Sequence, residues 1–514
     1  MVNYFELEPA EQRQFALAKF FNYLRRYVGP YHPYLRCRYA EAKVDLARLR
    51  TADDLRRLPI VDKTPLRENP QAFILRPHLE NVPALEGYPT ERLSRSLLLK
   101  YVAQAILNRP KDYTRLLRNP SFRERVRRRG LLEWLPVHFH ASTGSTGKPT
   151  PAAYTHYDLT RVLPELAAAL VIPKRPDPNE VYFDFADRGM NIFPGAPHLA
   201  FFIPVLAKTA IGTSTFDTFG GTVIPTDRQI TIFAEGGFSS LTAVPSYLVY
   251  WFRRAKELQA EGQIGPLTAL KRVLVGAEPL SDTMRECIRA LALELGAHPR
   301  FRIYQTLGMT EMKWGFAECT EGSGLHLNPR FFYWELLHPD TREPVAEREP
   351  GVLVFSHIDW RGTVLVRYWT GDLVKGGMTW ERCQQCGYTF PKIYAPICRA
   401  EKDFTKIKGT RVDLSNLVES VRGTPGVRNF QVLLESEDQH QEFSRDLVTI
   451  QVAVEPGYVA DDVGERIRSR VKLSTEVSPD RIVFEPDERQ IERRLFERTG
   501  IKAEYVVERR KLHI

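Results

Sequence analysis

The stretch from His140 to Thr150, HASTGSTGKPT, sets Gly144 and Gly147 among the hydroxyls of Ser142, Thr143, Ser145 and Thr146 and closes on Lys148. Glycine lets a backbone turn several N–H groups toward one anion, hydroxyls add donors and a lysine adds charge, so these residue types can cradle a phosphate. The string departs from the Walker pattern, because no hydroxyl residue follows the lysine and the glycines stand too close together. On its own such a turn also serves as a plain flexible loop. A second constellation is CQQC, Cys383 to Cys386, followed by a glycine. That knuckle points two sulfurs at one ion, and Cys319 and His326 in ECTEGSGLH supply two further ligands for a structural Zn²⁺. Free thiols in a hairpin are the alternative reading. A redox CxxC is disfavoured, since no thioredoxin-like βαβ pattern surrounds it.

The elements that must position these groups emerge from periodicity. Apolar residues recur at helical spacing from Glu11 to Arg36, and Thr51 to Leu66 reads as a short helix followed by the loop LPIVDKTPL, a scaffold segment. Residues 78–134 have a helical, Leu- and Arg-rich pattern broken by prolines and read as an insertion. Beyond Gly147, short β-rich runs (TVIPT, SLTAVPS, KRVLVGAE, FRIYQTLG, GVLVFSH, TVLVRYW) alternate with amphipathic helices. The expected fold is α/β, with mixed sheets flanked by helices in a large N-terminal domain over 1–398 and a small separate α+β domain over 399–514. In such sheets chemistry belongs at the loops that end the strands.

Bulk numbers exclude some classes. At 514 residues the chain exceeds one ordinary core, and 43% hydrophobic with 26% charged residues is a globular composition. No apolar run is long enough to span a bilayer, and MVNYFELEPAEQ is acidic where a signal peptide is basic, so a cytoplasmic protein is expected. Six cysteines fit a reducing compartment without a disulfide framework. The net charge of +9 is compatible with a phosphate-bearing ligand and equally with simple solubility. The patch RERVRRRG, Arg123 to Gly130, could hold a nucleotide, coenzyme or nucleic acid, or be a solvated helix face. No RNA-recognition or zinc-finger signature accompanies it, so a nucleic-acid partner is not expected.

In this context STGSTGKPT, Ser142 to Thr150, resembles the phosphate-binding signature of the acyl-adenylate-forming (ANL) superfamily. GAEPLSDTMR, Gly276 to Arg285, preceded by VIPTDRQITIF and TAVPSYL, is similar to the phenylacetate-CoA ligase branch. LGMTE, Leu307 to Glu311, resembles that superfamily's aromatic-G-x-T/S-E loop, and RYWTGDL, Arg367 to Leu373, its T-G-D motif. The likeness runs from about Leu58 to the C-terminus, the insertion apart.

The resemblance implies activation of a carboxylic acid by ATP and Mg²⁺ to an acyl-adenylate with release of pyrophosphate, followed by transfer to the thiol of CoA. It implies that Ser142, Thr143, Gly144, Ser145, Thr146, Gly147 and Lys148 hold the phosphates, that Thr310 donates to the α-phosphate and that Glu311 binds Mg²⁺. It likewise implies Asp372 and Arg399 on the ribose, and Gly276, Ala277, Glu278 and Leu307 around the adenine. KDFTKIKG, Lys402 to Gly409, resembles the hinge motif with Asp403 at its pivot. The resemblance implies an adenylation lysine in a C-terminal G-K, for which Lys502 in TGIKAEYVVERR, displaced by one position, is the candidate and Lys511 the alternative. The cysteines and histidine are placed as in members of the branch that hold zinc.

Two departures stand out. Leu307 replaces the aromatic on which adenine stacks in the family, with Tyr304 a candidate substitute. The glycine-rich acyl-pocket stretch is replaced by NIFPGAPHLAFFIPVL, whose Phe193, His198, Phe201 and Phe202 suggest an aromatic or other apolar acid, or else belong to the core. An acyl carrier protein or an amine could take the place of CoA, and a homodimer is compatible with the sequence. A non-catalytic nucleotide or nucleic-acid binding module is the reading from a different class; intact Lys148, Glu311 and Asp372 argue against it.

Overall fold

A computed structural model describes residues 4–77, 99–103, 132–142, 149–171, 187–195, 199–221, 223–399, 404–408, 410–437, 446–497 and 503–510. Residues 143–148, His198, Asp403, Lys502 and Lys511, and most of the insertion at 78–134, lie outside the described residues.

Four strands, Arg188–Asn191, Ser240–Ala243, Arg272–Val275 and Arg302–Met309, join Ser214–Asp217 in a parallel sheet, and Trp314–Ala317 closes one edge antiparallel. Their short Val-, Ile- and Leu-containing runs suit strands buried on both faces. Helices Leu199–Ile211, Thr226–Gly236, Pro245–Ala260 and Asp282–Glu294 make the crossovers. Arg188–Asn191 lies between Ser214–Asp217, the strand after it, and Ser240–Ala243. The order therefore reverses there and opens a crevice at the carboxyl ends of the strands.

A second sheet is an antiparallel meander of Phe332–Leu337, Gly351–His357, Tyr368–Val374 and Ile397–Arg399. Helix Pro9–Tyr23 packs Phe20 and Phe21 into its core with Trp334, Phe355 and Tyr368. The last part of the chain has its own sheet, ordered 481–484, 446–454, 427–436, 506–508, and its own core of Leu417, Val421, Phe430, Ile450, Val463 and Ile467.

TVIPT differs from its expected strand. Pro225 stands at the N-cap of helix Thr226–Gly236, and its fixed φ starts the helix where β-branched neighbours suggested extension. TVLVRYW is a strand only from Tyr368, because Arg367 adopts φ +48 just before it. Among the described residues no helix is long and apolar enough to cross a membrane.

The meander is tied to the N-terminal segment by Arg367. Its guanidinium pairs twice with the buried Glu335 carboxylate, at 3.0 and 3.1 Å, and donates to the carbonyls of Leu55 and Leu58 at 2.9 and 2.8 Å. Burial pushes the Glu335 carboxyl up and Arg367 opposes that shift. Arg367→Ala is expected to lose about 3–5 kcal/mol of stability in urea titration, because it leaves a buried carboxylate uncompensated. The double variant with Glu335→Leu should recover part of that loss, with the two carbonyls still lacking a donor.

Candidate functional site

The turn after strand Arg302–Met309 carries Thr310 and Glu311, and buried side chains fix it from below. Lys313 sits at φ +64, fully buried, with its ammonium 3.2 Å from Asp158 and 4.1 Å from the centre of the Trp360 ring. Its carbonyl accepts the Tyr154 hydroxyl at 3.0 Å. The neighbouring Met312 carbonyl accepts from His357 Nε2 at 3.2 Å, while His357 Nδ1 accepts from the Leu365 amide at 3.0 Å. One ring nitrogen must donate and the other accept, so this histidine is neutral; burial and Lys313 hold its pKa well below the usual range. Asp158 takes three backbone N–H groups as well, from Thr155, Arg361 and Gly362 at 3.1, 2.8 and 2.9 Å. Gly362 has to be glycine, since a Cβ there would meet the Ala153 carbonyl oxygen at 2.1 Å.

Held this way, Glu311 is 6% exposed and faces Lys63, whose ammonium is 3.0 Å from its carboxylate. The Tyr368 hydroxyl donates to the same oxygen at 3.5 Å; burial and the carboxylate raise that hydroxyl's pKa well above the ordinary value. Lys63 comes from the loop read as scaffold, and nothing local in LPIVDKTPL marks it. Tyr368 lies within RYWTGDL, whose pattern by itself assigns it no role.

The T-G-D residues lie on a β-bulge, where register shifts between Val352 and Val354 of the facing strand. Gly371 adopts φ +74, as the extra residue of such a bulge requires. Thr370 anchors the kink by donating to the Leu353 carbonyl at 2.7 Å and accepting from the Asp372 amide at 3.0 Å. Asp372 is buried and pairs with Arg399 Nε at 3.1 Å, directly across the strands. Arg399 also donates to the Thr370 carbonyl at 2.7 Å.

At the end of Arg272–Val275, a side chain at Gly276 would strike the Thr306 hydroxyl at 2.2 Å, and Ala277 takes φ +69. A non-glycine residue in the left-handed region costs about 1–3 kcal/mol and marks a turn held by its surroundings. Glu278 accepts the Ser246 amide at 3.3 Å, at the N-terminus of helix Pro245–Ala260, where an anion is favoured. Ser246 Oγ accepts the backbone N–H of Ala503 at 3.3 Å, which brings the C-terminal segment to the same place.

The aromatic residues separate. Phe193 is 4% exposed, within the core on the parallel sheet. Phe201 stacks on Phe219 at 4.5 Å, and Phe202 stacks on His138 at 4.8 Å. Leu307 is half-buried and, like Phe202 and Ile203, packs against the core that contains Trp314 and Phe316. Tyr304, three residues earlier in the same strand, faces the opposite side, so it does not take the place of Leu307.

The sulfur cluster is assembled. Ligand atoms of Cys319, His326, Cys383 and Cys386 lie within 4.8 Å of one another, with Cys319 and Cys383 sulfurs 3.8 Å apart and Cys386 Sγ 3.4 Å from His326 Nε2. Zn–S bonds of about 2.3 Å in a tetrahedron place sulfurs about 3.8 Å apart, so the spacing fits. His326 Nδ1 donates to the Gly324 carbonyl at 3.0 Å, leaving Nε2 toward the sulfurs. The Gly387 amide donates to the Cys383 carbonyl at 2.9 Å and Gly387 takes φ +77, which closes the knuckle.

No family model matches the chain. Among curated proteins it is 28% identical to the phenylacetate-coenzyme A ligase of Thermus thermophilus over 305 residues, 58% of this chain and 62% of that one. It is 28% identical to the enzyme of that name from Pseudomonas putida over 242 residues, 46% and 50%, and 25% identical to that of Aromatoleum evansii over 343 residues, 66% and 70%. The chain thus spans about half to two thirds of the length of the curated relatives it matches. Among solved structures, 2-hydroxyisobutyryl-CoA ligase in the postadenylation state with 2-HIB-AMP aligns over 99% of this chain and 91% of that one, with TM-score 0.72 and 18% identity. The same enzyme with 2-HIB-AMP and CoA in the thioesterification state gives 0.57.

Two lysines around Glu311 should behave oppositely. Lys313→Met is expected to cost about 3–5 kcal/mol in thermal melts, since it breaks a buried pair. Lys63→Met, at a half-exposed ammonium, should stay within about 1 kcal/mol of the parent.

Proposed function

We propose, taking as premise that the chain is related to the phenylacetate-CoA ligases and has the adenylate-forming fold, that it is an AMP-forming acid:CoA ligase acting on an aromatic or other apolar carboxylic acid. The observation that carries this reading is the pair of buried carboxylates, Glu311 and Asp372, that flank Tyr368 in a chain of that kinship.

In the first half-reaction the substrate carboxylate oxygen bonds to the α-phosphorus of ATP as the bond to the β-phosphate oxygen breaks, and pyrophosphate leaves with the electron pair. In the second, the CoA sulfur attacks the acyl carbon, AMP leaves and the thiol proton passes to solvent. An anion attacking a polyanion needs cations and fixed dipoles where charge gathers. Ser142, Thr143, Gly144, Ser145, Thr146, Gly147 and Lys148 supply them around the β- and γ-phosphates, and Thr310 donates to the α-phosphate. Glu311 offers Mg²⁺ a hard oxygen ligand, and the bound ion spreads phosphate charge. Lys63 adds a second cation on that wall.

Asp372 takes the ribose hydroxyls, with its second contact, Arg399, fixing the same sugar. Gly276, Ala277, Glu278 and Leu307 border the adenine. Leu307 covers a purine face with apolar area at about 25 cal/mol per Å² and forgoes the further ~0.5–1.5 kcal/mol of ring stacking. Residues 1–398 form the large domain and 399–514 the lid, turning near Asp403, with Lys502 as the adenylation lysine. That Ala503 contacts Ser246 is in keeping with a lid set for the first half-reaction. Cys319, His326, Cys383 and Cys386 hold a structural Zn²⁺ that ties the hairpin of Glu311 to the loop leading to Arg399. Six cysteines in 514 residues, with Cys319, Cys383 and Cys386 grouped around His326, suit a cytoplasmic setting better than a disulfide framework.

Pyrophosphate release from ATP and Mg²⁺, measured over aryl, arylacetic and fatty acids with and without CoA, tests the reading. Release with one apolar acid class, and thioester formation only with CoA, is the expected result; silence with every acid would overturn it. Asp372→Asn should raise the KM for ATP tenfold or more while leaving the KM for the acid unchanged. Metal analysis should find about one zinc per chain, lost in His326→Ala together with several degrees of melting temperature.

A further inference from the structure

Helix Glu488–Phe496 of the lid lies against helix Pro245–Ala260 of the large domain, beside other contacts between the two such as Lys375 with Asp413 at 2.6 Å. Arg253 reaches across with both nitrogens, Nη1 to the Glu488 carboxylate at 2.9 Å and Nη2 to the Arg428 carbonyl at 2.9 Å. Arg428 pairs with the other Glu488 oxygen, so one carboxylate is clasped by an arginine from each side of the joint. Beside it Phe496 packs edge-on against Tyr247 and tilts onto Tyr250, and it joins the core of the parallel sheet's helix layer. The two helices therefore make a charged clasp and an aromatic plug, on the same helix as Ser246, which holds Ala503.

We propose that Arg253 is a positioning residue for the first half-reaction: by clasping Glu488 and the Arg428 carbonyl it holds the lid against the large domain in the arrangement that also sets the Ala503 amide on Ser246. This rests on the ligase reading and on a lid that must leave before thiolation. Arg253 touches no reacting atom. Its geometry is that of a fork matched to a carboxylate and a carbonyl, which a lysine's single ammonium reproduces only in part.

The clasp carries a pH dependence. Glu492, on the lid helix, faces Glu488 of its own helix, Arg253, Glu257 and Tyr250 of the large domain and Arg428 of the lid sheet. Burial first, and Glu488 second, push its carboxyl up to about 7. The share of that rise that comes from the large domain's helix, which sets Glu257 and Tyr250 against the carboxyl, favours the docked lid at low pH, and that contribution is lost as pH rises through about 7. Docking should therefore loosen on the alkaline side.

The half-reactions are measured separately on the full-length protein: acid-dependent exchange of pyrophosphate into ATP, and thioester formation from CoA and synthetic acyl-adenylate of the best acid. Arg253→Ala is expected to lower exchange at least tenfold while thioester formation stays within twofold or rises, and Arg253→Lys should recover part of the exchange. In the parent, exchange should fall as pH rises through 7, and Glu492→Gln should flatten that limb without changing thioester formation. Equal losses in both half-reactions for Arg253→Ala, or none in either, would overturn the positioning role, and a Glu492→Gln profile identical to the parent's would overturn the pH dependence. A parent protein silent in both half-reactions with every acid would instead remove the ligase reading beneath it.

Discussion

The buried contact of Lys313 with Asp158 is the constraint on which the rest of the site depends. A fully buried ammonium is costly unless it is paired and its partner is itself satisfied. Asp158 meets that requirement by collecting three backbone N–H groups besides the lysine, and Trp360 offers its ring face to the same cation. Burial nevertheless draws the lysine's pKa down to about 8. The consequence is positional: Lys313 is two residues beyond Glu311, so a turn pinned at Asp158, Tyr154 and His357 leaves the Glu311 carboxylate little freedom of direction.

The same logic governs the meander. Arg367 takes an unfavourable backbone angle and commits its whole guanidinium to Glu335 and two carbonyls of the N-terminal segment. That arrangement brings the 55–63 segment, and with it Lys63, to the strand that bears Tyr368 and Asp372; the Val61 amide donates to the Arg367 carbonyl at 3.0 Å. The bulge at Gly371 then re-aims Asp372 toward Arg399. Positive-φ positions at Ala277, Lys313 and Arg367 cluster at these strand ends, and each is held by buried hydrogen bonds nearby rather than by local preference.

Helices Glu488–Phe496 and Pro245–Ala260 meet through polar groups around an aromatic plug. Charge pairs at a partly exposed joint contribute little net stability but fix orientation sharply. The C-terminal part of the chain has a core of its own, separate from the cores of the two larger sheets.

The CQQC knuckle with its two distant partners was legible in the chain, because soft-metal ligation demands sulfur and nitrogen atoms at a set spacing and the structure gathers those four ligand atoms within 4.8 Å of one another. The parallel-sheet strands were legible for a related reason: short apolar runs between amphipathic helices have few other ways to bury themselves. TVIPT reads locally as a strand, yet its proline starts a helix because the residues after it, from Thr226 on, bury Gln229, Ile230 and Phe233 on one helical face. Lys63 beside Glu311, Lys313 on Asp158, Phe193 in the core while Phe201 and Phe202 diverge, and Arg253 on Glu488 were decided only by tertiary structure. Each joins residues far apart in the chain, and such pairs are set by how layers pack and which groups lose water together, information that no local pattern contains.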